Sequence, residues 1–254
     1  MNVYELSAAL DERIPLSLRE EWDTDGLMVA PDGKKEIKKA LIALDATSPA
    51  LEYAVKTGAD AVITHHPLVF DPLKRLCEDD AAGKRVIFCV RNGVFVLSYH
   101  TRLDSAEGGV NDRLAEALGL KNTRAFLPFG RVGDTAREYG FGEFRAMCEQ
   151  ALGETAFACV KKRESIKKAA VVSGGGKHFV RDAFLAGADV YVTGEADHAA
   201  LIEAAEYGMN MLCLTHHATE RVVLPALARF VREASRDRIE TEIFDFDRVN
   251  EYGV

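Results

Sequence analysis

Apolar runs and amphipathic stretches alternate along the chain, a pattern that predicts α/β architecture. Strands are expected at 40–45, 61–64, 94–99, 169–173, 190–193 and 211–214. Several of these are continuous apolar runs, as expected where helices cover both faces of a sheet. Helices are expected between them at 48–56, 110–118, 177–185 and 196–207, and Gly58, Gly119, Gly187 and Gly208 stand where each should stop. The stretch 121–165 is less regular, with strands and turns expected before a helix at 143–152.

The pattern occurs twice. KKALIALDATSPALEYAVKTGADAVITHH (38–66) aligns without a gap on KKAAVVSGGGKHFVRDAFLAGADVYVTGE (167–195). Lys-Lys-Ala, Gly-Ala-Asp and the following Thr coincide. NGVFVLSYHTRLD (92–104) then parallels YGMNMLCLTHHATE (207–220), both ending in His, three residues and an acid. Two long units are too few for a solenoid. The expectation is two similar α/β/α lobes, one over 1–120 and the other over 121–254, tightly joined and open to interleaving at the C-terminus.

Composition narrows the function. The 254 residues are 48% hydrophobic, enough for a full core, and carry a net charge of −8. An acidic surface repels phosphate backbones, so no nucleic-acid partner is expected. No apolar run is long enough for a membrane span, and the N-terminus lacks the basic-then-apolar pattern of a signal peptide, so a cytoplasmic location is expected. The five cysteines have no paired spacing and read as reduced, mostly buried thiols.

Candidate chemistry gathers at strand ends. Of seven histidines, five lie there: His65, His66, His100, His216 and His217. Ligands of parallel α/β sheets bind beyond the carboxyl ends of strands. Asp104 and Glu220 each follow a histidine by four, and Glu195 matches His66 in the repeat. Mixed imidazole and carboxylate suits zinc, iron, manganese or nickel. Adjacent residues of a strand face opposite sides, yet the pair in ITHHPLVF (63–70) sits where the strand ends, and Pro67 holds His66 extended. The two rings can then straddle two ions. His65, His66, Asp104, His216 and Glu220 give five donors, one more than a closed tetrahedral ion needs. Against this, HTRLD also reads as a loop whose acid caps a helix, and HATER as a helix start. His100 and Glu195 are candidates for proton transfer, His100 also for holding Asp104. SGGGK (173–177) is compatible with phosphate held on backbone N–H groups and equally with a tight strand-to-helix passage.

ITHHPLVF, YHTRLDSAEGGVNDRLAEALGL, GRVGD, GADVYVTGE and THHATER resemble, in order and spacing, the Nif-three-like proteins. Bacterial members of that family go by the name GTP cyclohydrolase I type 2. The resemblance covers nearly the whole chain, and the family's metal ligands fall on His65, His66, Asp104, His216 and Glu220. It implies a dinuclear metal centre in a two-lobed subunit, a ring of six subunits, and the short form without an inserted domain. Trp22-Asp23-Thr24 stands where many relatives have Trp-Asp-Asn, and Ala199-Ala200 where many have His-Asp; neither departure touches a ligand.

Two functional readings follow. One is a metal-dependent hydrolase acting on a nucleotide-like or phosphorylated small molecule through a metal-activated water, with ring opening of GTP as the specific candidate. The other is a non-enzymatic, ring-forming metal-binding protein that stores or delivers metal or acts through protein partners.

Overall fold

The computed structural model describes residues 1–245, which form two compact units. One combines Met1–Ala106 with the chain from Leu224 onward; the other is Glu107–Val223.

The first unit opens with α1 (Val3–Arg13), whose Asn2 cap and Glu5 form a reciprocal capping box. A 3-10 turn at Leu16–Leu18 leads to β1 (Gly26–Val29), β2 (Lys39–Ala43), α2 (Ser48–Thr57), β3 (Ala61–Thr64), α3 (Ala81–Asn92), β4 (Phe95–Ser98) and the short α4 (Thr101–Ser105). The second unit runs through α5 (Val110–Ala117), β5 (Lys121–Ala125), β6 (Arg131–Gly140), α6 (Phe141–Leu152), β7 (Ala158–Val160) and β8 (Ser165–Val172). It continues through a 3-10 turn at Gly176–Phe179, α7 (Val180–Leu185), β9 (Val190–Thr193), α8 (His198–Glu206), β10 (Asn210–Cys213) and α9 (His216–Glu220). The chain then returns to the first unit with α10 (Leu224–Ser235) and β11 (Glu240–Phe244).

The first sheet has the order β1-β4-β3-β2-β11, parallel except for β1. The second has the order β5-β6-β8-β9-β10-β7, with β8, β9 and β10 parallel and the other pairings antiparallel. All four residues of β3, β4, β9 and β10 are buried, which explains why the sequence shows runs there and no alternation. Leu41, Val62 and Val96 share one core cluster with Leu51 and Ala54 of α2 and Cys89 of α3. Their strand neighbours Ile42, Ile63 and Leu97 are equally buried on the opposite face. Among the described residues no helix is long and apolar enough to cross a membrane.

The expected boundary at 120 moves. α5 puts Leu114, Ala115 and Leu118 into the core beneath β8 and β9, so the second unit begins at Glu107. Residues 224–245 belong to the first unit, because α10 packs on α1 and β11 pairs in parallel with β2, Glu240 opposite Lys39. Residues 246–254, assigned to the second lobe by the sequence pattern, lie outside the described residues.

The repeat has a hydrogen-bond cause. Asp60 Oδ2 accepts from the backbone N–H groups of Lys38 and Lys39 at 2.8 and 3.3 Å. Asp189 Oδ2 accepts from those of Lys167 and Lys168 at 2.9 and 3.0 Å. The aspartate of each Gly-Ala-Asp turn thus ties the start of one parallel strand to the start of the next. Further along, Tyr99 N donates to Thr64 O and Leu214 N donates to Thr193 O, at 2.9 and 3.0 Å. Those bonds equate Tyr99 with Leu214, so His100 matches the helix cap Thr215 rather than His216. The two His-x-x-x-acid endings are one residue out of register.

Candidate metal centre

In the first unit the histidine pair lies just past β3. Thr64 Oγ1 donates to His66 O at 2.7 Å and His66 N donates to Leu44 O at 2.9 Å, which turns the backbone out of the strand. The two rings come to lie on the same side, their centroids 4.8 Å apart. His65 is fully buried, with Nδ1 2.9 Å from Tyr99 O; His66 is half-buried, with Nδ1 2.9 Å from Asp45 Oδ1. A carbonyl and a carboxylate can only accept, so each Nδ1 carries a proton and Nε2 is the nitrogen left to hold an ion.

His100 caps α4, and its Nδ1 is held in the same way, 2.7 Å from Asp23 Oδ1. One ring nitrogen from each of His65, His66 and His100 lies within 4.8 Å of the others. Asp104, on the following turn, brings Oδ1 to 3.7 Å from His65 Nε2, too long for a hydrogen bond and suited to two ligands of one cation. Asp23 also accepts from Thr101 N at 3.0 Å and Thr101 Oγ1 at 2.6 Å. Burial pushes its carboxyl pKa up, but the bonds from His100 and Thr101 outweigh this and hold it well below the usual carboxylate range. Asp23 is therefore a carboxylate that fixes both the His100 ring and the first turn of α4.

In the second unit Thr215 caps α9, accepting from Ala218 N at 3.0 Å. His216 and Glu220 are its first and last residues, and four-residue spacing puts them on one face. His216 Nδ1 donates to Glu195 Oε1 at 2.8 Å, while Nε2 lies 3.1 Å from Oε1 of the buried Glu220. With its proton committed to Glu195, His216 Nε2 faces a carboxylate oxygen, acceptor against acceptor. A proton between them, on the ring or on the carboxyl, or a cation reconciles them. His217, half-buried, is the next residue along α9, about 100° around the helix from His216.

Gly174 shapes this half of the site. A Cβ there would fall 2.1 Å from Glu220 Oε1 and 2.9 Å from His216 Nε2, and its φ of +57° is itself unfavourable for other residues. Three amides of SGGGK are engaged within the protein, which weighs against the phosphate reading. Ser173 N donates to Asn111 Oδ1, Gly174 N to Thr219 Oγ1 and Gly176 N to Thr193 Oγ1, at 2.8, 3.0 and 3.1 Å. The glycines serve close approach. All five cysteines are free thiols; burial pushes Cys89 and Cys213 up to about 12, and Cys159 is exposed.

The match to a family model described as Duf34/NIF3 (NGG1p interacting factor 3) extends over residues 1–250. The chain belongs to the Duf34/NIF3 family. A Clostridium perfringens protein named GTP cyclohydrolase 1 type 2 homolog is 31% identical over 94% of this chain and 95% of its own length. A Methanocaldococcus jannaschii protein of the same name is 31% identical over 97% of this chain and 100% of its own. Among solved structures, reduced HcgD from that archaeon superposes with a TM-score of 0.84 at 32% identity, covering 97% of this chain and 98% of the other. A Bacillus cereus protein related to NIF3 reaches a TM-score of 0.90 at 23% identity over 97% of each chain, a likeness of fold.

The Duf34/NIF3 donors fit a divalent ion. They are imidazoles and carboxylates, and three of the imidazoles have one nitrogen fixed by Asp23, Asp45 or Glu195, which leaves the other for an ion. Those orienting acids escaped the ligand count made on sequence alone. Asp45 carried a signal, an acid just past a strand end; Asp23, one of several acids in EEWDTDG, and Gly174, whose need arises from Glu220, distant in sequence, carried none.

Proposed function

We propose that this Duf34/NIF3 protein is a metal-dependent hydrolase in which His65, His66, Asp104, His216 and Glu220 hold two divalent ions. The observation that carries the reading is the oxygen acceptor set against Nδ1 in each of His65, His66 and His216. Each Nδ1 is spent on an oxygen acceptor, at 2.9, 2.9 and 2.8 Å, which leaves Nε2 basic and aimed away from that acceptor. Buried histidines that merely stabilise a core need no such uniform polarity. The pair His216 and Glu220 cannot complete even one tetrahedral ion without further donors.

When bound, such ions supply a water acidified toward neutrality and positive charge to oppose a developing anion. The chain's own residues do the rest. Glu195 and Asp45 orient His216 and His66, so Glu195 acts as a positioning residue, where its place in the sequence suggested proton transfer. His100, its ring pinned by Asp23 and its centroid 5.3 Å from His65, is the group that would carry a proton to or from a substrate. The substrate class is a nucleotide-like or phosphorylated small molecule, in line with the names of the relatives. A homo-oligomer, with a ring of six as its form, completes the proposal and is checked by sedimentation.

The experiment is metal-loaded protein assayed against nucleotides and phosphoesters, beside the His65→Ala, Glu220→Ala double variant. Turnover that follows metal content and vanishes in the double variant is the expected result. Turnover that survives those substitutions, or a fully loaded protein with none, rejects the enzyme. The latter outcome favours metal storage or delivery.

A further inference from the structure

Trp22 and Phe70 are large apolar side chains left 62% and 45% exposed. Burying such rings is strongly favourable, so two adjacent exposed aromatics against a polar site call for an explanation. Their backbones are not loose. Trp22 directly precedes the buried Asp23, which is tied to His100 and Thr101, and Glu20 N donates to Thr101 Oγ1 at 3.0 Å. Phe70 lies two residues beyond the buried Leu68. The ring centroids of Trp22, Phe70 and His100 form a near-equilateral triangle, 6.2 Å from Trp22 to Phe70, 6.2 Å from Trp22 to His100 and 6.1 Å from Phe70 to His100. Both apolar rings stand nearly perpendicular to the imidazole, at 81° and 85°. Neither ring is stacked face to face on His100, and both keep much of their surface exposed beside it.

We infer that Trp22 and Phe70 form an aromatic corner that stacks a planar heterocyclic ring of the substrate, a purine base or its chemical equivalent, and holds it beside His100. The inference deepens the hydrolase reading and rests on it for the identity of the reacting molecule. Base–aromatic stacking tolerates any π-face, so the corner selects for a flat ring rather than for one base. Sugar phosphates without a base gain nothing from it.

Trp22 is the only tryptophan in the chain, so its emission reports on this corner alone. The probes are guanosine and adenosine monophosphate, with ribose 5-phosphate as the ring-free control, titrated into metal-loaded and chelator-treated protein whose metal content is measured in the same samples. Both nucleotides should change Trp22 emission and ribose 5-phosphate should not. Phe70→Ala should weaken nucleotide binding about tenfold, the size of one base–aromatic stack. Trp22→Phe, followed by equilibrium dialysis, should keep most of the affinity that Trp22→Ala loses. Both side chains are exposed, and unchanged thermal melting shows that the variants fold.

Equal binding of the three probes, or nucleotide binding indifferent to Phe70→Ala and Trp22→Ala, overturns the inference. So does emission that shifts with protein dilution and ignores nucleotide, which would make the corner a contact between subunits. Loss of the hydrolase reading is separately visible: a protein that binds metal and nucleotide through the corner yet turns nothing over keeps this inference and loses that one.

Discussion

Asp45 Oδ1 lies 2.9 Å from His66 Nδ1 and fixes which nitrogen of that ring carries its proton. Asp45 stands just past the end of β2 and His66 just past the end of the neighbouring β3, so parallel pairing of the strands brings the two together. Asp45→Ala frees the ring to rotate and to exchange tautomers. Metal affinity should fall about 10- to 100-fold, as for other outer carboxylates of metal-bound histidines, measured by competition against a chelator of known affinity. Unchanged affinity would mean that His66 is not a ligand.

Gly174→Ala tests the second unit. The added methyl would overlap Glu220 Oε1 at 2.1 Å and crowd His216 Nε2, so one of those donors must move. Elemental analysis should show metal lost from a protein that still folds. Gly187→Ala is the control. It too has a positive φ, +83°, but nothing within 4 Å of the new Cβ, so it should cost about 1 kcal/mol of stability and leave metal content unchanged.

The strands that carry the donors were legible because burial on both faces writes them as unbroken apolar runs; 61–64 and 190–193 coincide with β3 and β9. Of the less regular 121–165 stretch, α6 was legible and the individual strands were not, because all of β5 is exposed and it carries no apolar pattern. The sequence leaves the return of the chain to the first unit open, as interleaving at the C-terminus, without fixing it. α10 has an apolar face in Leu224, Leu227, Phe230 and Val231, but nothing local says that the face meets α1 rather than the nearer second unit. In the candidate site, residue types revealed the donors, whereas their orienting partners depend on which strands are neighbours. The repeat misled by one residue at His100, because His-x-x-x-acid matched while the backbone register did not.

Arg102, within the HTRLD segment, is 1% exposed. Its Nε donates to Asp25 Oδ2 at 2.8 Å and its Nη1 to Asp11 Oδ1 and Ile14 O at 2.6 and 3.0 Å, with the guanidinium 4.5 Å from the Tyr99 ring centre. Burial pushes Asp25 upward in pKa and Arg102 only partly offsets it. Arg102→Met leaves that buried acid with only Arg19, 3.6 Å from its Oδ1, as a cationic neighbour and should cost about 3 kcal/mol in denaturant unfolding. Adding Asp25→Asn should return part of the loss, because an amide tolerates burial better than a carboxylate. If the double variant is no more stable than the single one, the cost of Arg102→Met is lost packing against Tyr99, and the ion pair is incidental.

Asp60 separates stability from chemistry, since it belongs to the repeated turn and not to the donor set. Burial raises its pKa, but the backbone amide of Lys38, the Lys35 ammonium 2.9 Å away and the amide of Lys39 outweigh that and leave it below the ordinary carboxylate value. The sign follows directly. A carboxyl more acidic in the folded than in the unfolded chain stabilises the fold fully above the unfolded pKa of about 3.9, and that contribution drains away as pH falls through the lower folded value. Asp60→Asn keeps an acceptor oxygen but loses the charge, so it should cost about 1 kcal/mol at pH 7. The gap between wild type and variant should hold down to about pH 4 and close below it. Urea unfolding of the metal-free protein across that range measures the gap; one that widens on acidification would contradict the assigned hydrogen bonds.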